Sequence, residues 1–320
     1  MSEKSSGYLI GGILITILGS ICFSAKAIFV KLAYVETTVD AVSLLALRMI
    51  FSIPFFLGSA LITSSQKGNV KFTTKQWFYI AFIGCLGYYV SSLLDFLGLQ
   101  YISAGMERLI LFMYPTIVVL MSAAISKEKI KTKQWVALIL TYSGLLLAFT
   151  GEVSLGSSDD PNFYLGCFLV FGCAVTFAAY IVGSGKLIPM VGPVKFNSYA
   201  MSFAAIGVLL HFFITSDKSL LYLDNKIYIF SFLMAIISTV IPSYLRSEGI
   251  KRIGPENASI VTSIGPASTI IQANIFLDEP IFALQIAGTV LILSGVMLIS
   301  WKAKRSEEHT SELQSRQYLV

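Results

Sequence analysis

Ten apolar runs, each long enough to cross a lipid bilayer, constrain this sequence more than any other feature. An α-helix rises about 1.5 Å per residue, so about 20 apolar residues span a hydrocarbon core of roughly 30 Å. The runs are too long for membrane β-strands and lack their strict alternation. They lie at 8–33, 40–63, 76–100, 105–125, 133–150, 163–184, 194–214, 227–246, 256–277 and 280–301. We therefore predict an all-α integral membrane protein with ten transmembrane helices.

The composition agrees with a chain whose surface faces lipid. Hydrophobic residues make up 55% and charged residues 13%, against roughly a quarter charged in soluble proteins. The net charge of +5 is spread over short loops, so we expect the lipid bilayer and no nucleic acid as a partner. All four cysteines fall inside apolar runs and neither histidine has a neighbouring metal ligand at helical spacing. We expect no metal and no cofactor.

Basic residues concentrate in alternate loops, as the positive-inside rule requires of cytoplasmic loops. With the N-terminus inside, the cytoplasmic set is Lys67, Lys71, Lys75, Lys127, Lys129, Lys131, Lys133, Lys186, Lys195, Arg246, Lys251, Arg252, Lys302 and Lys304. Lys218 and Lys226 are exceptions in the opposite loops. Otherwise these loops hold mainly acids, namely Glu36, Asp40, Glu152, Asp159, Asp160, Asp278 and Glu279. This asymmetry predicts a multi-pass protein of the cytoplasmic membrane with both termini in the cytoplasm.

The sequence resembles itself at a shift of 151 positions. Gly98 meets Gly249, Pro115 meets Pro266, Glu128 meets Glu279, Gln134 meets Gln285, and Ser143-Gly144 meets Ser294-Gly295. Five predicted spans separate the two copies, and because five is odd the second copy enters the membrane upside down. We predict two inverted five-helix repeats, 8–150 and 163–301. Such repeats place a solute site near their interface and permit alternating access by rocking about it.

The last residues differ from the rest of the chain. The segment 305–320 is polar and is predicted to be disordered. Its Arg-Ser-Glu-Glu-His-Thr-Ser-Glu-Leu-Gln-Ser run reads as a common sequencing-library adapter translated in one frame. We interpret this tail as an artefact and expect that the true C-terminus is missing.

The repeated pattern is similar to the paired EamA-like domains of the drug/metabolite transporter superfamily. The resemblance rests on the run from Gly98 through Pro115 to Gly144 and its echo in the second half, together with Arg48 in LLALRMIFSIPFF and Lys31 in AKAIFVKL. It implies ten helices, cytoplasmic termini, a central cavity and secondary transport, often export of amino acids or other metabolites. Organic cations, drugs or sugars remain alternative substrates of the same fold.

Charged residues inside the apolar runs are the first candidates for a site. Each costs roughly 2.5–3.5 kcal/mol on membrane insertion and usually faces a cavity or a partner. The candidates are Lys26, Lys31, Arg48, Asp95, Glu107 and Arg108. Asp95 could pair with Arg48 or with Lys26, or these residues could contact the substrate. Because burial penalises a charged carboxylate, Asp95 is also a candidate for reversible protonation and hence for protons as a coupling partner.

Polar and aromatic residues within the runs form a second group of candidates for the path. These are Tyr88, Tyr89, Tyr114, Tyr180, Tyr244, Gln272 and Asn274. Each could equally serve as a packing residue or as an interhelical hydrogen-bond partner. The paired Pro115 and Pro266 are candidates for kinks that allow gating.

Two other classes of function are alternatives to a transporter. An intramembrane enzyme needs a nucleophile–base pair or a metal set, and the sequence has no HExxH or GxSxG motif. A non-transporting membrane subunit remains an alternative, although the short loops offer little surface to a soluble partner. The sequence also lacks a Walker-A motif. We therefore expect a secondary transporter of a small molecule, not an enzyme, and leave a homo-oligomer open.

Overall fold

Long helices connected by short loops account for most of the chain. The computed structural model describes residues 6–298 apart from 67–69, 128–129, 131, 155–160, 186, 217–219, 254–257, 259–260 and 263. The predicted tail at 305–320 lies outside the described residues. The helices are α1 (Ser6–Glu36), α2 (Ala41–Ser65), α3 (Thr74–Gly98), α4 (Ala104–Ile125), α5 (Thr132–Ser154), α6 (Phe163–Ser184), α7 (Pro193–Thr215), α8 (Asn225–Ile253), α9 (Gly265–Leu277) and α10 (Ala283–Leu298).

Eight of these helices, α1 to α8, are long and apolar enough to cross a membrane within the described residues. This agrees with the predicted all-α, multi-pass membrane protein. Helices α9 and α10 are shorter in the described part of the chain, and much of the first half of the predicted span 256–277 lies outside it. The number of ten spans therefore stays a prediction.

Polar side chains between the apolar runs start several of the helices. The Asp40 carboxylate accepts a hydrogen bond from the Ser43 backbone N–H at 2.8 Å and so caps α2. Thr73 and Gln76 form a reciprocal capping box at α3. Such caps satisfy the backbone donors that the first turn of a helix leaves unpaired. This explains why most predicted boundaries differ from the observed ones by only a few residues.

Three backbone irregularities recur at positions 151 residues apart. Helix α3 contains a π-helical segment at Cys85–Val90, and α8 contains one at Ile236–Val240. Helical segments begin at Tyr114, after a break within α4, and at Gly265. The segments end at residues in the left-handed conformation, Lys127 with φ 54° and Asp278 with φ 53°.

Pro115 and Pro266 each lie in the first turn of these segments. The first turn has no intrahelical acceptor for its N–H groups, so a proline there removes no hydrogen bond. Both prolines therefore mark a break before a helical segment instead of a kink within one.

Helix packing follows the same correspondence between the first and the second half of the chain. Helix α1 packs against α8, and α6 packs against α3. Helix α2 packs against α8, and α7 packs against α3. Helix α1 also contacts α9, while α6 contacts α4. Each contact is thus matched by a second one in which every helix is exchanged for the helix five places along the chain.

Glycines bring α5 and α10 into close contact. A Cβ atom at Gly144 would lie 2.6 Å from the carbonyl oxygen of Gly288, and one at Gly295 would lie 2.7 Å from that of Ala137. The two contacts interchange under the shift of 151 positions. Small residues allow helix backbones in a membrane to approach this closely.

Contacts between the helix ends group them into two sets. In one set, Lys226 Nζ lies 2.8 Å from Glu36 Oε2, and Lys31 Nζ donates to the Ile102 carbonyl at 2.9 Å. In the other, Lys195 Nζ donates to the Val70 carbonyl at 2.6 Å, and the Arg252 guanidinium lies 5.2 Å from the Tyr8 ring centroid.

The outer surface is apolar and the interior holds charge, which reverses the arrangement of a soluble protein. Phe78, Phe168 and Phe213 are more than 70% exposed, whereas Asp95 and Glu107 are fully buried. An apolar exterior of this kind is suited to the hydrocarbon of a bilayer.

The close contact of α5 and α10 predicts that Gly144→Ala destabilises the protein. The added methyl group has no space beside Gly288, so we expect a loss of about 1–3 kcal/mol in the free energy of unfolding. Gly58→Ala is the matched control, because a Cβ there meets nothing within 4 Å. The control should be neutral or slightly stabilising. Unfolding in mixed micelles measures both, and equal losses would contradict the packing.

Candidate functional site

A cavity of about 130 Å³ lies among helices α1–α4 and α6–α9. Within the described residues, α5 and α10 contribute nothing to its wall. The two π-helical segments both reach it, α3 with Tyr88 and α8 with Thr239. A π-helical turn widens the backbone locally and is frequent at functional sites. The two π-helical segments thus contribute side chains to the wall of the cavity.

Four buried charges form a cluster, the charge quartet, at one end of the cavity. Lys26 Nζ lies 2.7 Å from Asp95 Oδ2 and 3.4 Å from Glu107 Oε1. Arg108 Nε lies 3.9 Å from Glu107 Oε2 and donates to Thr269 Oγ1 at 3.0 Å. All four side chains are at least 92% buried. Two cations and two carboxylates balance each other, as burial requires. Of the two partners considered for Asp95, Lys26 forms the ion pair.

Arg48 reaches the cavity from α2 and crosses to the second half of the chain. Its Nε donates to Thr239 Oγ1 at 3.0 Å, and its Nη1 donates to Ser92 Oγ at 3.4 Å. Its guanidinium lies 5.6 Å from the centroid of the Phe96 ring. The side chain is 5% exposed and forms no ion pair with any described residue.

Arg246 also lines the cavity, and sequence reasoning assigned it to a cytoplasmic loop instead. Helix α8 continues to Ile253, beyond the predicted end at 246. Arg246 therefore lies within the helix, seven residues after Thr239 and on the same face. The spacing of seven residues from Thr239 was the sequence feature that could have placed Arg246 on the same helix face.

The ring of Phe23 lies close to three of the cations. The Phe23 centroid lies 5.2 Å from the Arg108 guanidinium, 5.6 Å from that of Arg246 and 5.9 Å from Lys26 Nζ. The electron-rich face of a ring attracts cations at such distances. Phe23 therefore links the charge quartet to Arg246 across the cavity.

Aromatic residues and one amide form another part of the wall. The Tyr88 and Tyr180 hydroxyls both donate to Asn197 Oδ1, at 3.1 and 2.6 Å. Gly87 permits this arrangement, since a Cβ atom there would collide with the Tyr180 ring. Tyr114 lines the cavity as well. Asn197 was not a sequence candidate, because a single amide near a helix start carries no distinguishing pattern.

Two of the predicted aromatic candidates lie away from this cavity. The Tyr89 ring packs beside His211, with the ring centroids 5.7 Å apart. Tyr244 is 40% exposed, and its hydroxyl donates to the Phe55 carbonyl at 3.2 Å. Both residues connect helices.

The candidates of α9 also lie outside the cavity. Gln272 Nε2 donates to the Ile21 carbonyl at 3.2 Å and links α9 to α1. Asn274 is exposed, and its Nδ2 donates to the Glu279 carbonyl at 2.9 Å. Glu107 is not among the described residues that line the cavity, but it contacts two that are, Lys26 and Arg108.

Glu279 joins the two halves of the chain at the end where α4 begins. Its carboxylate accepts hydrogen bonds from the backbone N–H groups of Ala104 at 2.8 Å and Gly105 at 3.2 Å. Ser103 satisfies a third donor, the N–H of Met106, at 3.0 Å. A carboxylate at a helix N-terminus also gains from the helix dipole. We call this contact the Glu279 latch.

Comparison with known proteins finds a solved structure and several sequence relatives that match nearly the whole chain. A solved crystal structure matches with a TM-score of 0.62 and 17% identity, covering 92% of this chain and 98% of that one, and so shares the fold. The uncharacterized transporter YcbK of Bacillus subtilis is 28% identical over 92% of this chain and 96% of its own length. The uncharacterized transporter sll1319 of Synechocystis is 23% identical over 91% and 93%. The model of the EamA-like transporter family matches residues 10–150 and 164–301. The chain therefore belongs to the EamA-like transporter family, within the drug/metabolite transporter superfamily.

Proposed function

We propose that this protein is a secondary transporter that moves small metabolites, such as amino acids, across the cytoplasmic membrane by alternating access, with export as the expected direction. The cavity is the observation that carries the proposal. Four helices from each half of the chain, α1–α4 and α6–α9, line it with charged, hydroxyl and aromatic groups. A polar chamber shared by two halves within an apolar exterior is the arrangement that alternating access needs.

Several observations support two inverted repeats at 8–150 and 163–301. The family model matches once in each of these regions. The π-helical segments, the helix breaks and the left-handed residues recur 151 positions apart. The exchange of equivalent helices in the packing is expected if a pseudo-two-fold axis relates the halves.

The contacts between helix ends support the proposed topology. Glu36 and Lys226 belong to loops assigned to the outside, and they form an ion pair. Tyr8 and Arg252 belong to ends assigned to the cytoplasm, and they are also in contact. The Lys226 charge, an exception to the positive-inside pattern, is therefore offset locally.

The burial of the charged residues supports a conformation open toward the cytoplasm. The charge quartet and the Glu279 latch lie toward the proposed outer end, where Asp95 and Glu107 are fully buried. Arg246 lies toward the proposed inner end and is exposed. A solute could then enter from the cytoplasm and meet a closed outer end, which is the loading state of an exporter.

The distribution of contacts suggests which of them break during transport. The charge quartet belongs to α1, α3 and α4, all in the first half, so it can move as a unit. The Glu279 latch and the Arg108–Thr269 hydrogen bond join different halves. Rocking of the halves would open these contacts and expose the cavity to the other side. Proton coupling through Asp95 stays a proposal that the ion pair with Lys26 does not by itself support.

Counterflow in proteoliposomes tests the proposed function. Vesicles containing purified protein are loaded with one unlabelled solute and diluted into the labelled form, for amino acids, organic cations and sugars in turn. We expect transient accumulation of at least one solute class above protein-free vesicles. Amino acids would support the main proposal, cations or sugars would change the substrate, and accumulation of none would favour a non-transporting subunit.

The inverted repeat predicts that equivalent positions lie on opposite membrane faces. Lys127→Cys and Asp278→Cys replace the two left-handed residues that end equivalent helical segments. We expect an impermeant maleimide, added outside intact cells, to label position 278 and not position 127. Lys251→Cys serves as a control and should behave like position 127. Labelling of 127 and 278 from one face would refute the repeat.

The Glu279 latch predicts that Glu279→Ala frees the start of α4. Hydrogen bonds to a charged group contribute about 1.5–3 kcal/mol, so the Ala104 and Gly105 amides should exchange hydrogen roughly 10–100-fold faster. Hydrogen–deuterium exchange of the peptide around 103–111 measures this. Glu36→Ala, which removes an exposed pair at the same end, should leave this exchange unchanged. If both variants behave alike, the latch does not hold α4.

A further inference from the structure

We infer that the cavity binds a small organic anion, whose carboxylate or phosphate group is held by Arg48 and Arg246. This inference rests on the proposed function and specifies the substrate class of the same site. It starts from the charges around the cavity, which do not balance within the described residues.

Four cations and one carboxylate line the cavity, and a second carboxylate lies directly behind them. The cations are Lys26, Arg48, Arg108 and Arg246, and the carboxylates are Asp95 and Glu107. The charge quartet uses one cation for each carboxylate. Arg48 and Arg246 are left over, and neither forms an ion pair with any residue that the structure describes.

An uncompensated positive charge is costly at Arg48, which is buried, whereas Arg246 is exposed. Arg48 is 95% buried, and the interaction of charges grows as the surrounding dielectric falls. Arg246, Arg108 and Lys26 all lie near the Phe23 ring. Three positive charges are therefore close to this one aromatic side chain. An anion within the cavity would offset this repulsion, whereas a cationic solute would increase it.

The free hydrogen-bond donors also suit an oxyanion. Arg48 uses Nε and Nη1 for hydroxyl groups, and no described residue accepts from its Nη2. Arg108 Nη2 is buried and has no hydrogen-bond partner among the described residues; the same holds for both Asp95 oxygens and Glu107 Oε2, whose charges Lys26 and Arg108 offset. A guanidinium presents its N–H groups in a planar fork that matches carboxylate and phosphate oxygens. Arg48 and Arg246 line the same cavity, as does Tyr88.

The remaining wall specifies the rest of the ligand. Aromatic rings line the cavity at Phe23, Phe112, Tyr114 and Phe177. Rings of this kind bury the apolar body of a ligand while a few polar groups orient it. We therefore infer an anion with an apolar body, such as an aromatic or branched carboxylate or a phosphate monoester.

Four probes with one ring and different charges test the inference. The full-length protein in detergent is titrated with benzoate, phenyl phosphate, benzyl alcohol and benzylamine, and its melting temperature is recorded. We expect benzoate or phenyl phosphate to raise the melting temperature, and the two together distinguish a carboxylate site from a phosphate site. Benzyl alcohol and benzylamine should have little effect. Stabilisation by benzylamine alone, or by none of the four, would overturn the inference.

Variants of Arg246 show whether the effect arises in the cavity. Arg246→Gln should weaken binding of the stabilising anion about tenfold, the change expected for loss of one charged hydrogen-bonding group. Arg246→Lys keeps the charge but loses the fork, so its affinity should be intermediate. Lys251→Gln removes the same charge from the same helix but outside the cavity wall and should bind as the unaltered protein does. Equal affinity for all variants would contradict the inference.

Counterflow separates a wrong substrate class from a wrong function. Exchange of labelled benzylamine or benzyl alcohol, without exchange of benzoate or phenyl phosphate, would leave a transporter and refute the anion site. Anion binding that depends on Arg246, together with no exchange of any solute, would keep the anion site and refute the transporter. Exchange of benzoate or phenyl phosphate that falls in Arg246→Gln supports both.

Discussion

The rest of the structure depends on the requirement that charges inside a membrane protein be satisfied without water. Lys26, Asp95, Glu107 and Arg108 meet it by forming a buried, neutral cluster. Removing one partner from such a cluster leaves an uncompensated buried charge, which is far more costly than the whole cluster. The quartet thereby fixes α1, α3 and α4 relative to each other. It provides one rigid wall on which a binding cavity can be built.

The contacts between the two halves differ in character from those of the quartet. Glycine contacts join α5 and α10, and single hydrogen bonds join Arg48 to Thr239 and Glu279 to Ala104. Each of these hydrogen bonds can break without leaving a multi-charge cluster unbalanced. The proposed rocking of the halves would have to separate these contacts together with the helix packing between the halves, such as that of α1 against α8. The charges are unevenly distributed, because the charge quartet and Arg48 belong to the first half and Arg246 belongs to the second, so the first half supplies most of the charged wall.

Much of the fold could be predicted from the sequence, since apolar runs and loop charges determine helices and their order. The rotation of each helix about its own axis could not be predicted from the sequence, and that rotation decides which side chains contact each other. Lys26, Arg48, Asp95 and Arg108 line the cavity because charges avoid lipid. An uncharged side chain such as Gln272 or Asn274 can face another helix or the surface at a small cost in free energy. The polarity of these two residues therefore did not show whether they line the cavity. Arg246 was missed because a cation near a helix end resembles a loop residue.

The paired π-helical segments have a consequence for motion within the membrane. A π segment holds one residue more than an α-helical turn, so moving that extra residue along a helix would change the register of the residues in between. A shift by one residue would rotate the intervening side chains by about 100° about the helix axis. Tyr88 and Thr239 lie in these segments and face the cavity. Such a shift in α3 or α8 would turn Tyr88 or Thr239 away from the cavity without displacing the capped helix starts at Thr73 and Asp224.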